Sequence, residues 1–169
     1  MNVRKLTPEQ ALDKLMSYCS KMERSEFDVR QKMMLWGITG DAAQKIIDKL
    51  NKEKFLDGQR YIYSFIRGKF YYNKWGRVKI RYNLTLRGFK ENEIDEAFDS
   101  FFSTVDYEQM IFDQLKRKNQ SLHINDEYQR KSKLIHFGQT RGYKRKFPLR
   151  ALIKLWKPRR NKHGYYRTD

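Results

Sequence analysis

Basic and aromatic side chains are interleaved in the middle of this 169-residue chain, a combination suited to binding nucleic acid. Lys and Arg neutralise phosphates and release counterions, while aromatic rings stack on exposed bases. No acidic residue lies between Asp57 and Glu91, and the basic residues there are Arg60, Arg67, Lys69, Lys74, Arg77, Lys79, Arg81, Arg87 and Lys90. The aromatic residues interleaved with them are Phe70, Tyr71, Tyr72, Trp75 and Tyr82.

Four of these basic residues surround a turn, and no acid near them in sequence neutralises them: Lys74, Arg77, Lys79 and Arg81. We predict that they face phosphates or an acidic partner. Phe70 and Tyr82 are instead predicted to pack between helices.

A second basic zone lies further along the chain, interrupted only by Asp126 and Glu127. Its members are Lys116, Arg117, Lys118, Arg130, Lys131, Lys133, Arg141, Lys144, Arg145, Lys146 and Arg150. The zone is too broad for one helical stripe, so we interpret it as a basic surface of the whole C-terminal third; a merely solvated face is the alternative. With Lys69, Arg87 and the four residues around the turn, it forms the candidate binding set.

The overall charge favours the same interpretation. The chain has 37 Lys and Arg against 20 Asp and Glu, a net charge of +17, and residues 105–169 alone contribute +11. Such a field attracts polyanions, although a generally basic protein remains the alternative. Eight acids and no basic residue lie between Glu91 and Leu115. A helix that carries them would be repelled by the phosphates of a major groove, so we do not expect sequence-specific operator binding.

Signatures of an enzyme are missing from the sequence. There is no Gly-rich phosphate loop and no paired cysteines for zinc, and His123, His136 and His163 lie far apart. We therefore predict no catalysis, no cofactor and no metal site, with Cys19 as a buried structural thiol. No apolar run exceeds four residues, and the first residues lack the apolar core of a signal peptide, so we expect a cytoplasmic protein that does not enter membranes.

The elements that must position these side chains form a repeat. Gly37, Gly88 and Gly142 each end one amphipathic stretch and precede another, 51 and 54 residues apart. Periodic self-similarity indicates an array of one supersecondary unit whose neighbours stack on each other. We predict an all-α monomer of three tandem three-helix repeats, 1–54, 55–104 and 105–156, followed by a basic, flexible tail, 157–169.

Capping residues and apolar spacing define the individual helices. Predicted helix starts are Thr7 with Pro8 and Gln10, Ser25 with Asp28, Asp57, and Asp106 with Gln109. The predicted core of the second repeat is Phe65, Ile80, Leu84, Phe98 and Phe101, and Val78 is a further apolar residue of the predicted helix that carries Ile80 and Leu84. In the third repeat the predicted apolar residues include Tyr128, Leu134, Leu149, Leu152, Ile153 and Trp156, with Pro148 opening the last helix.

The motifs resemble those of the RecX regulatory proteins. Phe55-Leu56-Asp57-Gly58-Gln59-Arg60-Tyr61, followed by Phe65-Ile66, is similar to the family's Phe-Leu-Asp-Asp-x-Arg-Phe signature. Gly76-Arg77-Val78-Lys79-Ile80, Arg87-Gly88-Phe89, Ser25-Glu26-Phe27, Lys116-Arg117-Lys118 and Arg141-Gly142-Tyr143 fit other segments in order, over about residues 9–155. Gly58 and the turn Asn73-Lys74-Trp75-Gly76 depart from the family pattern.

The resemblance implies three three-helix repeats in a curved, elongated molecule that binds along the RecA–DNA filament. It further implies modulation, usually inhibition, of the ATPase, strand exchange and co-protease activities of RecA in DNA repair and the SOS response. The candidate binding set would then contact the filament, and binding to naked single- or double-stranded DNA would be weak and non-specific. A non-enzymatic helical protein that acts directly on DNA is the alternative.

Overall fold

The computed structural model describes residues 6–156, which contain nine α-helices and no β-strand. The helices are α1 Pro8–Lys21, α2 Glu26–Leu35, α3 Gly40–Lys52, α4 Gly58–Tyr71, α5 Arg77–Thr85, α6 Glu91–Phe102, α7 Tyr107–Gln120, α8 Glu127–Thr140 and α9 Lys146–Leu155. The all-α prediction is confirmed. None of the described helices is long and apolar enough to cross a membrane. The predicted tail, 157–169, lies outside the described residues.

Side-chain caps start the helices where the sequence predicted them. The Thr7 hydroxyl accepts from the Gln10 amide, and the Gln10 side chain accepts from the Thr7 amide in return. Ser25 and Asp28 make the same reciprocal pair before α2. The Asp57 carboxylate accepts from the amide of Arg60 before α4. These caps satisfy amides that the first helical turn leaves without partners.

The three repeated glycines end helices in the same way. Gly37, Gly88 and Gly142 have φ values of +73°, +87° and +81°, in the left-handed region that glycine enters without a steric cost. After each, the next residue donates its amide to a carbonyl five residues earlier: Ile38 to Met33 at 2.9 Å, Phe89 to Leu84 at 3.3 Å and Tyr143 to Gly138 at 2.9 Å. This is the Schellman arrangement, so the repeated glycine has one physical cause throughout.

The described chain forms two compact units, neither continuous in sequence. We call residues 6–68 with 81–103 unit 1, and residues 69–80 with 104–156 unit 2. The boundaries of the three repeats, 1–54, 55–104 and 105–156, stay a prediction. In unit 1 the buried residues Ile46, Ile47 and Leu50 of α3 have the same spacing as the buried residues Ala97, Phe98 and Phe101 of α6.

Unit 2 has its own buried core, which includes Ile111, Leu115, Leu134, Ala151 and Leu152. Close packing explains why position 138 of α8 is a glycine. A Cβ added there would lie 2.6 Å from Cγ of Pro148 and 3.5 Å from the ring of Tyr143. Helix α9 can therefore approach α8 closely at this point.

Several predicted apolar faces are wrong. On α5, Ile80 and Leu84 are buried one helical turn apart, whereas Val78 and Tyr82 are 49% and 63% exposed. Each lies two positions from a buried residue, about 200° around the helix axis. On α9 the buried face is Pro148, Ala151 and Leu152, which leaves Leu149 and Ile153 exposed. Tyr128 is exposed, Phe65 is only half-buried, and Phe70 is buried as predicted.

Candidate nucleic-acid interface

Within unit 2, the turn before α5 is joined to the turn after α8. The Gly76 amide donates to the Arg141 carbonyl at 2.7 Å, and the Val78 amide donates to the Gly142 carbonyl at 3.2 Å. We call the two segments 73–79 and 140–143 the basic joint. A Cβ on Gly76 would collide with the Gly142 carbonyl, and one on Gly142 would lie 2.6 Å from the Lys79 amide nitrogen. Glycine at both positions allows the two backbones to touch.

Side chains extend the basic joint beyond these backbone contacts. The Arg141 guanidinium donates to the Asn73 carbonyl at 2.6 Å, and the Lys79 ammonium donates to the Thr140 carbonyl at 3.1 Å. Thr140 is the last residue of α8, where the helix dipole attracts a cation. The Tyr143 hydroxyl donates to the Lys74 carbonyl at 2.8 Å. Burial raises the pKa of Tyr143, with nearby Tyr107 adding to the shift, so this hydroxyl keeps its proton and remains a donor.

Two lysines lie close to one aromatic ring of the joint. The ammonium groups of Lys69 and Lys79 lie 4.9 and 4.7 Å from the centre of the Trp75 ring. Contacts with rings and carbonyls hold these cations in place without removing their positive charge. The basic joint thus gathers Lys74, Lys79 and Arg141, with Lys69 beside it, from two zones that are about seventy positions apart in sequence.

The candidate binding set divides by exposure. The half-buried members are Lys69, Lys74, Arg77, Lys79, Arg81, Arg87, Lys118, Arg130, Lys131 and Arg141. The exposed members are Lys116, Arg117, Lys133, Lys144, Arg145, Lys146 and Arg150. Lys144 and Arg145 directly follow the basic joint, and within the described chain their side chains form no hydrogen bond or ion pair.

Some members have local partners that the sequence interpretation missed. Arg81 pairs with Asp95 of α6, so the expectation that no acid neutralises it is wrong. Arg81 also falls in unit 1, apart from Arg77 and Lys79 of unit 2. Lys131 pairs with Glu127, four residues earlier on α8, and Arg150 pairs with Glu108 at 3.0 Å. Acids distant in sequence or one helical turn away therefore neutralise part of the set.

Two further members of the candidate binding set donate hydrogen bonds to backbone carbonyls. Arg130 donates through Nε to the Ile124 carbonyl at 2.8 Å, which fixes the connection between α7 and α8. Arg87 donates to the Asn83 carbonyl at 2.9 Å and lies 5.1 Å from the centre of the Phe65 ring. Both side chains stabilise local structure while they keep their charge.

An open groove of about 440 Å³ lies in unit 2 and includes a residue of the basic joint. Tyr71, Lys74 and Arg117 line it together, a proximity that the sequence did not indicate. Two acids also line the groove, and both accept hydrogen bonds from Gln109: Asp106 from its backbone amide and Asp113 from its side chain. The groove thus presents an aromatic ring, two cations and two carboxylates that keep their negative charge.

Groups that could bind a metal are not gathered in the described part of the chain, where no three His, Cys, Asp or Glu side chains lie close enough. His123 and His136 are exposed, and His163 is not among residues 6–156. Cys19 is buried as predicted, and this burial raises the pKa of its thiol to about 11.

Comparison with known proteins decides the family. Residues 57–97 match the model described as "RecX, second three-helix domain". The regulatory protein RecX of Clostridium botulinum (strain Eklund 17B / Type B) is 31% identical over 121 residues, 71% of this chain and 56% of the relative. The RecX protein of Clostridium acetobutylicum is 28% identical over 136 residues, 79% of this chain and 63% of the relative. The chain belongs to the RecX family.

Solved structures of RecX proteins have the same fold. One crystal structure of a regulatory protein RecX superposes with a TM-score of 0.76 at 21% identity, over 86% of this chain and 72% of the other. RecX from Lactobacillus salivarius gives a TM-score of 0.72 at 17% identity, over 88% and 96%. The chain spans 56% and 63% of the two clostridial RecX proteins that it matches.

Proposed function

We propose that this RecX-family chain binds the RecA–DNA nucleoprotein filament and inhibits the ATPase, strand exchange and co-protease activities of RecA in DNA repair and the SOS response. It acts as a cytoplasmic monomer and catalyses no reaction of its own. Membership of a family of regulatory proteins carries the proposal.

The charge distribution supports a polyanionic target. In the described residues, unit 2 has 16 basic and 5 acidic side chains, whereas unit 1 has 14 of each. A net charge of +11 on one compact unit attracts a phosphate backbone and binds it by counterion release. We propose that the exposed members of the candidate binding set, with the basic joint, contact the filament.

Direct action on DNA is the second candidate function, because the cations of unit 2 would attract naked DNA as well. Helix α6 argues against a sequence-reading protein. Its exposed acids Glu91, Asp95, Glu96 and Asp99 would face phosphates if the helix entered a major groove. Contacts with phosphates alone carry no sequence information, so this candidate predicts binding without sequence preference.

A RecA ATPase assay on single-stranded DNA tests the proposal. The purified chain should lower turnover as its concentration rises, and the double variant Lys144→Glu/Arg145→Glu should require a higher concentration for the same inhibition. Lys45→Glu/Lys52→Glu is the matched control, since both residues are exposed on α3 of unit 1 and the charge change is identical. Unchanged turnover at saturating protein, together with tight sequence-selective duplex binding, would contradict the proposal.

A further inference from the structure

An exposed aromatic ring lies at the turn between α4 and α5. Tyr72 follows the last residue of α4 and is 87% exposed, and its neighbour Tyr71 is 44% exposed. Single exposed apolar residues are common on protein surfaces, so exposure alone assigns no role. The surroundings of this ring distinguish it from an ordinary surface tyrosine.

The turn that carries Tyr72 is fixed at the three residues that follow it. Arg141 binds the Asn73 carbonyl, Tyr143 binds the Lys74 carbonyl, and the Trp75 amide donates to the Lys69 carbonyl at 3.0 Å. Lys74 has a φ of +54°, a left-handed conformation that is sterically unfavourable for a residue with a Cβ. Contacts from the other segment of the basic joint thus hold a turn that its own sequence disfavours. An aromatic side chain on such a support loses little conformational entropy when a ligand binds.

Cations adjoin the same turn. Lys69, Lys74, Lys79 and Arg141 belong to or border the basic joint, whose two segments lie in stretches of sequence without an acid, 58–90 and 128–156. The acids that share a groove with Tyr71 and Lys74 are Asp106 and Asp113, and both accept hydrogen bonds from Gln109. A cationic surface combined with an exposed ring is the arrangement that binds single strands, because phosphates meet the cations while an unpaired base stacks on the ring. A duplex keeps its base faces inside the stack and offers none to Tyr72.

A second exposed tyrosine in unit 2 provides the contrast. Tyr128 is 82% exposed, but it lies in the first turn of α8, next to Glu127, which pairs with Lys131. Helical backbone rather than the basic joint supports it, and acidic side chains precede it in sequence. Tyr72 and Tyr128 are therefore similarly exposed, but they differ in the charge around them and in the backbone structure that carries them.

We propose that Tyr72, presented by the basic joint, is a stacking site for an unpaired nucleobase of single-stranded DNA. The inference deepens the proposed function, on which it rests for the identity of the nucleic acid. It adds that the chain recognises a base face as well as phosphates.

Fluorescence anisotropy with three labelled ligands of equal length tests the site: oligothymidylate, an abasic single strand and a duplex. Tyr72→Ala should lower affinity for oligothymidylate by roughly 5- to 150-fold, the range for one base stacked on an aromatic side chain. It should leave binding to the abasic strand and to the duplex unchanged. Tyr72→Phe, which keeps the ring, should bind all three like the parent.

Tyr128→Ala is the matched control and should bind oligothymidylate like the parent, and circular dichroism should report the same helical content for every variant. Equal losses for Tyr72→Ala on oligothymidylate and on the abasic strand would overturn stacking, as would an affinity equal to that of Tyr128→Ala. No recombinase is present, so this failure would leave filament inhibition standing. Conversely, an unaltered RecA ATPase with intact Tyr72-dependent binding would reject the proposed function alone.

Discussion

The two compact units treat their cations differently. In unit 1, basic side chains pair with carboxylates: Arg30 with Glu26, Arg60 with Glu23 and Arg81 with Asp95. Unit 2 has two such pairs, Lys131 with Glu127 and Arg150 with Glu108, but it has about three times as many basic as acidic side chains. Its Arg141, Lys79 and Arg130 bind backbone carbonyls, which leaves their charge in place. The average charge of the chain conceals this division between a neutral unit and a strongly cationic one.

The same helix-ending motif is also used differently in the two units. A Cβ on Gly88 of unit 1 would meet no atom within 4 Å, so its only requirement is the left-handed backbone. Gly142 of unit 2 has that backbone requirement and also touches Lys79. The helix-ending glycine is thus a point of close backbone contact in unit 2 but not at Gly88 of unit 1. In unit 2 this contact positions the cations of the basic joint.

The largest expected effect tests whether the apolar core holds unit 1 together. Phe98 is 2% exposed, and its ring lies 5.4 Å from that of Phe102. Phe98→Ala should lower the free energy of unfolding by about 3–5 kcal/mol, as truncation of a buried Phe does. Urea denaturation measures the change, with Phe27→Ala, whose ring is 41% exposed, as the control. Equal costs for the two variants would contradict the helical phase of α6.

The next effect tests the basic joint. Gly76→Ala forces a Cβ against the Gly142 carbonyl and should cost about 1–3 kcal/mol, the range for overpacking. Gly68→Ala is the control on the same side of the turn, because its Cβ would meet nothing within 4 Å and the residue lies inside α4. That replacement should stabilise the protein by about 0.5–1 kcal/mol. Shifts of the same sign in the two variants would mean that the backbone contact contributes little.

Local features of this fold could be predicted from the sequence. Thr7, Ser25 and Asp57 cap helices through atoms within three residues, and Gly37 and Gly88 end helices through backbone angles alone. Short-range chemistry decides such features, so residue types and spacing suffice.

Tertiary features could not be predicted in this way. Ile80 is buried while Val78 is exposed because neighbouring helices select one face of a short helix with apolar residues on both. The contact of Arg141 with Asn73 joins residues 68 positions apart, and Arg81 meets Asp95 across two helices. No spacing rule indicates which cations such contacts hold and which stay exposed.

A smaller effect is expected on DNA binding when basic residues of unit 2, but not of unit 1, are replaced by glutamate. At moderate salt, Lys144→Glu/Arg145→Glu should weaken binding to single-stranded DNA on the order of tenfold. It should also flatten the plot of log affinity against log salt by about 1.4, since each phosphate contact on a single strand contributes about 0.7. Lys45→Glu/Lys52→Glu in unit 1 should keep the parent slope. Equal slopes for the two double variants would show that the long-range field, rather than unit 2, binds DNA.

A last effect concerns the buried titratable groups of the two units. Burial raises the pKa of Cys19 in unit 1 to about 11, against an ordinary thiol value of 9.0. Burial also raises the pKa of Tyr61 in unit 1 and of Tyr107 and Tyr143 in unit 2, but from a higher ordinary value of 10.0. In each case the folded chain keeps a proton that the unfolded chain releases as the pH rises. The stability associated with Cys19 is therefore complete below pH 9 and is lost as the pH approaches about 11.

Comparison of the parent with Cys19→Ala isolates this contribution. The alanine leaves a small cavity, whose cost does not depend on pH, and it removes the thiol while the tyrosines stay common to both proteins. Urea midpoints should therefore differ most below pH 9 and converge as the pH rises toward about 11. Iodoacetamide should correspondingly label the native parent slowly, because the thiol is buried and protonated. Midpoints that stay parallel across this range would show that Cys19 ionises as readily in the folded chain as in the unfolded one, and that alkali does not destabilise unit 1 through its buried thiol.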